Sequence, residues 1–559
     1  MPRRSLIRDF SLLALICATG FTLFLGAPPL FDWDEINFAE AAREMMVTGN
    51  YLQVQINYQA FFEKPPLFFW LQTLCMQVFG VNEFAARFPN VLAGIFTLLA
   101  LYWNGLHFRD EKFARLLAGF YLASLLPVIY FKSGIIDPVF NFFIFLGLMQ
   151  ILRHDLLRKD DKTQAAADSG PWAAGFWIGL ATLTKGPVAL LVTILIYGFF
   201  KLITDRFRIP VWAFLKFLSA WFIVIMGWYG LETVAHGPEF IQNFIRYQIG
   251  LFGQDIAGHA QPFYYHFLVF LPGCFPLSAF AFRGMALKPE MPKEKLLHRF
   301  MLIWFWVIMI LFSLVKTKIV HYSSLLYFPG AFLAAFFFSE LIAGKKRITW
   351  DIWLILIIGL LVWGIAPVLI NYAASHTVEI TSMIKDPFAR ANLSMEVEWG
   401  GFEWMVGAVF LIGLLVNFYL LIRQRWLPFL YIQVFLTLFF VNGQFGFTVP
   451  KVARYTQGAP LDFFSGLAGK DVYVMTYGYK SYLPYFYAKA KPSATEESTN
   501  ITWLTEGEID KDVFLAVKVH RENEAFRQRF RNFERLYELA GFAFYRRRSN
   551  VVYRAENTR

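Results

Sequence analysis

The polar cassette Asp32-Trp33-Asp34-Glu35, continued by Asn37-Phe38-Ala39-Glu40 and Arg43-Glu44, interrupts an otherwise apolar run and is followed by Phe62-Glu63-Lys64-Pro65-Pro66. Carboxylates such as Asp34 and Glu35 can orient a nucleophile or take its proton, and a lysine such as Lys64 can stabilise an anion that develops beside them. Charge beside a bilayer is costly unless it faces water, a partner or a substrate, so the cassette reads as a candidate active site. Three further groups have comparable chemistry. Asp137-Pro138 offers a second carboxylate. Lys185 lies in Thr182-Leu183-Thr184-Lys185-Gly186-Pro187, and Lys316-Thr317-Lys318 precedes His321-Tyr322, a set of cations and hydroxyl donors suited to phosphate. Glu63 and His259 could share a metal ion. Each has a plainer alternative: Asp34 and Asp137 as helix caps, Glu35 as a first-turn carboxylate, Lys185 at a helix C-terminus.

The elements that must position these residues are membrane helices. Of 559 residues, 57% are hydrophobic, 19% aromatic and 17% charged. Soluble domains carry about 25% charged residues, so the deficit and a mean hydropathy of +0.45 point to lipid. Segments near 9–29, 88–107, 113–131, 138–153, 173–185, 187–203, 211–231, 263–283, 300–315, 320–341, 350–373, 402–422 and 426–442 are long and apolar enough, or nearly so, to span. About thirteen transmembrane helices are expected. The net charge of +11 sits in short clusters between them, a topology signal that argues against a nucleic-acid partner.

Basic residues collect in alternate connections: Arg3/Arg4/Arg8, Arg109/Lys112/Arg115, Arg153/Arg158/Lys159/Lys162, Lys201/Arg206/Arg208, Lys288/Lys293/Lys295/Arg299, Lys345/Lys346/Arg347 and Arg423/Arg425. The positive-inside rule makes these cytoplasmic and puts the cassette outside. Lys64, Arg87, Lys132, Lys185, Arg246, Lys316 and Lys318 then fall on the outer side, where orientation does not require them and an anionic partner would. Segment 9–29 lacks a small-residue cleavage site and is expected to stay as a first helix. Residues 1–444 form the transmembrane unit. Residues 445–559 read as a small outer α/β domain, with strands near Lys470–Tyr477 and Val513–Val517, a helix over Glu522–Tyr537 and a last strand from Phe542. Glu35 to Met46 reads as an amphipathic helix on the membrane surface, and Cys17, Cys75 and Cys274 give no disulfide framework.

Taken in order, Asp34-Glu35-x-x-Phe38-Ala39-Glu40-x-x-Arg43-Glu44-Met45, Glu63-Lys64-Pro65-Pro66, Arg87-Phe88-Pro89, Asp137-Pro138, Thr184-Lys185-Gly186-Pro187, His259-x-x-Pro262-Phe263-x-Tyr265 and Lys316-x-Lys318-x-x-His321-Tyr322 resemble the bacterial lipid A aminoarabinose transferases. They also resemble the wider protein O-mannosyltransferase-like (GT-C) glycosyltransferases. The likeness covers roughly residues 1–340. Phe38 stands where the family usually has tyrosine, and Val320 where it often has proline.

The resemblance implies a GT-C-like polytopic enzyme of the bacterial inner membrane that moves a sugar from a polyprenyl-phosphate donor to a periplasmic acceptor such as lipid A, another glycan or a protein. It makes Asp34 and Asp137, with Glu35, the acidic active-site residues. Lys64 and Tyr322 become donor-phosphate ligands, with Lys185, Lys316, Lys318 and Arg246 in support. It assigns Glu63 and His259 to a divalent metal, a structural zinc, with no organic cofactor. Two alternatives keep the same residues: a GT-C enzyme with a catalytic metal at Asp32-x-Asp34-Glu35, and a polytopic transporter, whose charges would sit at the bilayer midplane. An envelope assembly protein would leave the ordered motifs as coincidence.

Overall fold

The computed structural model describes residues 3–549 except 161, 207, 209, 254–260, 377–380 and 494. Among the described residues nine helices are long and apolar enough to cross a membrane, or eleven if two bent pairs each count as one span. The bent pairs are Glu111–Leu122 with Leu125–Phe131, at 73°, and Tyr265–Gly273 with Leu277–Met285, at 117°. The protein is thus a multi-pass membrane protein, but thirteen spans are not reached by this measure. Expected segments 9–29 and 173–185 are helices Arg3–Thr22 and Gly170–Lys185. The first carries Arg3, Arg4, Arg8 and Asp9 in its opening turns, and the second has 16 residues, about 24 Å of helix against a hydrocarbon layer of about 30 Å.

The early helices are α1 (Arg3–Thr22), α2 (Asp34–Thr48), α3 (Leu67–Phe79), α4 (Glu83–Phe108), α5 (Glu111–Leu122), α6 (Leu125–Phe131) and α7 (Asp137–Asp160). Asn82 caps α4 by accepting from the Ala85 amide at 2.9 Å, and Asp110 caps α5 through Phe113 at 2.8 Å. A large aromatic core joins α4, α5 and α7 to Pro292–Leu314, Tyr327–Ile342 and Trp426–Gly443. Two crossings depend on missing side chains. A Cβ on Gly175 would lie 2.1 Å from the Phe217 carbonyl oxygen, and one on Gly284 2.0 Å from that of Leu333. Small residues permit this approach of backbones.

The α2 helix is not a surface helix. Every residue from Glu35 to Met45 is buried, and the polar side chains of Glu40, Arg43 and Glu44 are partnered. Arg43 donates to both oxygens of Glu40 at 2.6 and 2.7 Å, and Glu44 accepts the Asn57 and Tyr58 amides at 2.6 and 2.8 Å. Those amides belong to the turn of a hairpin, β1 (Gln55–Ile56) and β2 (Gln59–Ala60), whose two turn residues have φ of +53° and +58°. Buried charges are tolerated only when paired in this way.

At the other end of the chain, Trp426–Ser465 is one helical run of 40 residues with a π-helical turn at Gln444–Thr448. The expected domain boundary at 444/445 therefore falls inside a helix, and the sheet domain begins after Ser465. Its strands β3 (Tyr473–Tyr477), β4 (Val513–Lys518), β5 (Glu534–Leu539) and β6 (Phe542–Arg547) lie in the order β3-β4-β6-β5, with β3 and β4 parallel and the rest antiparallel. The helix expected over Glu522–Tyr537 is only Glu524–Arg529. Its remainder becomes β5, which turns into β6 through Ala540 and Gly541 at φ +49° and +78°, the left-handed pair a tight hairpin turn requires. Side chains alternate across the sheet. Leu515, Val517 and Tyr545 pack with Phe526 and Phe530, whereas Ala516, Phe542 and Phe544 share a core with α2 and α3.

Candidate active site

The loop before Asp137 and the start of α2 are clamped to each other. Glu35 accepts from Arg87 at 3.1 and 2.7 Å, from the Phe31 amide at 2.9 Å and from the Gly134 amide. Asn90, one turn beyond Arg87 in α4, donates to the Ser133 and Ile135 carbonyls at 2.6 Å each. These ties bring Asp34 and Asp137, each the first residue of its helix, to the same end of the bundle. Asp34 is not the cap of α2: Trp33 holds that position, without a side-chain cap bond.

Between the two aspartates stands His321, its Nε2 3.7 Å from Asp34 Oδ2 and 3.7 Å from Asp137 Oδ2. It is fixed from below: Asn141, one turn after Asp137, donates to Ser324 at 2.7 Å, and Ser324 donates to the His321 carbonyl at 2.6 Å. The aspartates are not equivalent. Asp137 is buried and accepts from Lys185 Nζ at 2.6 Å through Oδ1, while its Oδ2 has no hydrogen-bond partner. A buried acceptor without a donor is uncommon and marks a position where a substrate hydroxyl or water can donate. The Asp34 carboxylate is 36% exposed and open to an incoming group.

Cations and phenols line the same site. Lys185 ends its helix, closed by Gly186 at φ +109°, and its ammonium lies 5.0 Å from the Tyr322 ring. Lys64 is half-buried, with its ammonium 5.2 Å from the Tyr247 ring, and Tyr247 hydrogen-bonds Glu63. Burial pushes the Lys64 ammonium below the ordinary lysine range, and Lys185 adds to this; Glu63, Asp34 and Asp137 pull it back up. Burial and then Glu63 hold the Tyr247 hydroxyl above the usual tyrosine range, so Tyr247 is the donor to the Glu63 carboxylate.

Other expected residues lie elsewhere. Glu35 is 3% exposed with both oxygens engaged, so it positions Asp34 and Asp137 and is not free to meet a substrate. Arg246 is exposed and donates to Asn243 at 3.0 Å. Its neighbour Tyr247 is the residue that faces the site. Lys318 is spent on the Gln261 carbonyl at 2.9 Å, and Lys316 is exposed beyond the end of its helix. Arg87 and Lys132 do not await an anionic partner: Arg87 also donates to the Leu25, Pro28 and Pro29 carbonyls, and Lys132 to those of Phe21 and Leu23 and to Asn442. His259 lies outside the described residues. Among the described residues no three His, Cys, Asp or Glu side chains converge as a metal site.

Residues 63–229 match the model of the dolichyl-phosphate-mannose-protein mannosyltransferase family. A curated undecaprenyl phosphate-alpha-4-amino-4-deoxy-L-arabinose arabinosyl transferase of Enterobacter sp. (strain 638) is 27% identical over 372 residues, 63% of this chain and 66% of that protein. The counterpart in Wigglesworthia glossinidia brevipalpis is 28% identical over 55% of this chain and 54% of its own. The chain thus spans about half to two thirds of these curated relatives. The crystal structure of ArnT from Cupriavidus metallidurans bound to undecaprenyl phosphate superposes with a TM-score of 0.73 at 17% identity, over 97% of this chain and 98% of that one. The protein has the GT-C fold. This bears out the resemblance drawn from the ordered motifs, and the GT-C likeness extends through the C-terminal part, where those motifs give out.

Proposed function

We propose that this GT-C protein is an integral membrane glycosyltransferase. It takes a sugar from a polyprenyl-phosphate donor and transfers it, with inversion, to an envelope acceptor such as lipid A, another glycan or a protein. The observation that carries this reading is the pairing, at one end of the bundle, of Lys64 and Lys185 with Asp34, Asp137 and His321. The curated relatives' undecaprenyl-phosphate sugar and the lipid phosphate of the ArnT complex support the donor class. A transporter would place its charges at the midplane; here they gather at helix ends.

Cleavage of the bond between the anomeric carbon and the phosphate oxygen sends an electron pair to that oxygen, and positive charge develops on the sugar. Lys64 and Tyr322 hold the departing phosphate, with Lys185 adding charge from its place on Asp137. Asp34 orients the acceptor and, for a hydroxyl acceptor, takes its proton as the new bond forms. A phosphate acceptor needs no base, and Asp34 then positions it. His321 keeps the two carboxylates apart and supplies a donor toward either. One displacement on the face opposite the leaving phosphate inverts the anomeric centre. Glu63 with His259 would hold a structural divalent ion outside this step. Chelation would then lower the melting temperature and leave the turnover of the remaining folded enzyme unchanged.

The orientation proposed is periplasmic for the site. The paired basic clusters, Arg115 with Asp9, Lys201 with Asp155 and Arg109 with Glu294, lie at the opposite end of the helices, and such clusters favour the cytoplasm. Purified protein incubated with undecaprenyl-phosphate-linked aminoarabinose and lipid A tests the function by mass spectrometry of the lipid product. Transfer above a heat-inactivated control supports it. A folded protein that neither transfers nor binds undecaprenyl phosphate would overturn it.

A further inference from the structure

The mouth of the site is closed on one side by the C-terminal sheet domain. Its loop from Gly478, at φ +77°, to Tyr482 is tied to the cassette: Asp32 accepts the Tyr482 amide at 3.3 Å and the Ser481 hydroxyl. The tie sets the Tyr482 ring edge-on to Trp33, 5.9 Å between centroids at 80°. Lys480 stands over both rings, 4.9 Å from the centroid of Trp33 and 5.3 Å from that of Tyr482. Trp33 immediately precedes Asp34.

Lys480 combines three features. Lys185 is paired with Asp137 and Lys318 is spent on a carbonyl, but no ion pair or hydrogen bond among the described residues engages the Lys480 ammonium. It is exposed to solvent. It is also held in place by two ring faces instead of waving free, and that reduces the entropy a ligand must overcome. Trp33, under the ammonium, is 44% exposed, and Phe31, two positions before it, is 39% exposed. An ammonium next to an apolar rim suits an anionic headgroup whose chains remain in the bilayer.

Resting on the proposed glycosyl transfer, we infer that Lys480, with Trp33 and Tyr482, forms an acceptor subsite that binds a phosphate group of a membrane amphiphile. In this arrangement the C-terminal domain selects the acceptor, while Lys64 and Lys185 serve the donor. Lys480 acts by binding and makes or breaks no covalent bond.

The test uses the full chain in lipid nanodiscs, with two ligands measured separately: undecaprenyl phosphate and lipid A. For Lys480→Gln we expect the Kd for lipid A to rise about tenfold, in the range for loss of one charged contact at a partly exposed site, with the Kd for undecaprenyl phosphate unchanged. Lys480→Arg should keep near wild-type affinity for both. Lipid A stripped of its phosphates should bind wild type and Lys480→Gln equally, and high salt should narrow the difference for the intact lipid. Equal lipid A affinity in wild type and Lys480→Gln would overturn the subsite even with donor binding intact. Displacement of lipid A by inorganic phosphate would move the site to soluble phosphates and overturn the lipid assignment. Loss of undecaprenyl phosphate binding in the wild type would instead strike the glycosyltransferase reading.

Discussion

At the scale of single residues the two aspartates, alike in sequence context, sit in different electrostatic states. Asp137 is already matched by Lys185, whereas Asp34 faces His321 only at 3.7 Å and is open to the mouth. Because Asp34 does not cap its helix, Asp34→Asn removes charge without removing a cap. Turnover should fall about a hundredfold or more, the range for loss of a positioned acid or base, with the melting temperature near wild type. Near-normal transfer by a stable Asp34→Asn would move the chemistry elsewhere. Lys64 makes a separate prediction, in pH. Its ammonium is held below the ordinary lysine range by burial, and donor phosphate binds the protonated form. Affinity for the donor should therefore be lost as pH rises through the lowered value, giving kcat/KM an alkaline limb below the usual lysine pKa of about 10.4. Lys64→Arg should move that limb upward, and Lys64→Ala should cost about 10²–10³ in kcat by analogy with loss of a preorganised donor. A limb left in place by Lys64→Arg would assign it to another group.

At the scale of elements the decisive contact is the Glu35–Arg87 pair, which welds α2 to α4 and, through Gly134, to the loop entering α7. Both side chains are buried, so Arg87→Met would leave the Glu35 carboxyl without its cation, with only the Phe31 and Gly134 amides as donors, at a cost of about 3–5 kcal/mol. We expect a much lower yield and melting temperature in detergent, opposite to the profile of Asp34→Asn. A stable, inactive Arg87→Met would place Arg87 in the chemistry instead. Apolar runs made the spanning helices legible in the sequence, and ordered motifs carried Asp34, Lys64, Asp137, Lys185 and Tyr322. The burial of α2 was not legible: its partners, Arg87 and the hairpin amides of Asn57 and Tyr58, come from other segments, and one helix's periodicity cannot reveal them. Nor could spacing tell that Glu35 faces inward while Asp34 faces out, or that Tyr247 and not Arg246 enters the site. The β5 strand reads as helix because its hairpin turn uses Ala540, a residue that rarely takes positive φ.

At the scale of the molecule, sidedness follows from how the charges divide along one helix. The α7 helix begins at Asp137 in the site and reaches Asp155, paired with Lys201, 18 positions later, a rise of about 27 Å, close to the hydrocarbon thickness of about 30 Å. The two charge populations are therefore set a membrane apart. The basic end carries the orienting lysines and arginines; the other carries the cassette. The run Trp426–Ser465, 40 residues and so about 60 Å long, leaves the bilayer on the cassette side and delivers the sheet domain to the mouth, where Asp32 and Gln457 bind across the junction. The site and the sheet domain must then share one side, and the basic clusters at the other end support the periplasmic side proposed for them. Thr499 is exposed on the sheet domain, and Cys17 and Cys274 are buried, so Thr499→Cys in a Cys75→Ser background gives one accessible thiol. A membrane-impermeant maleimide should label it in intact spheroplasts to the same extent as in lysed membranes. Labelling that appears only after lysis would invert the topology and remove the site from the compartment where the acceptor is proposed to lie.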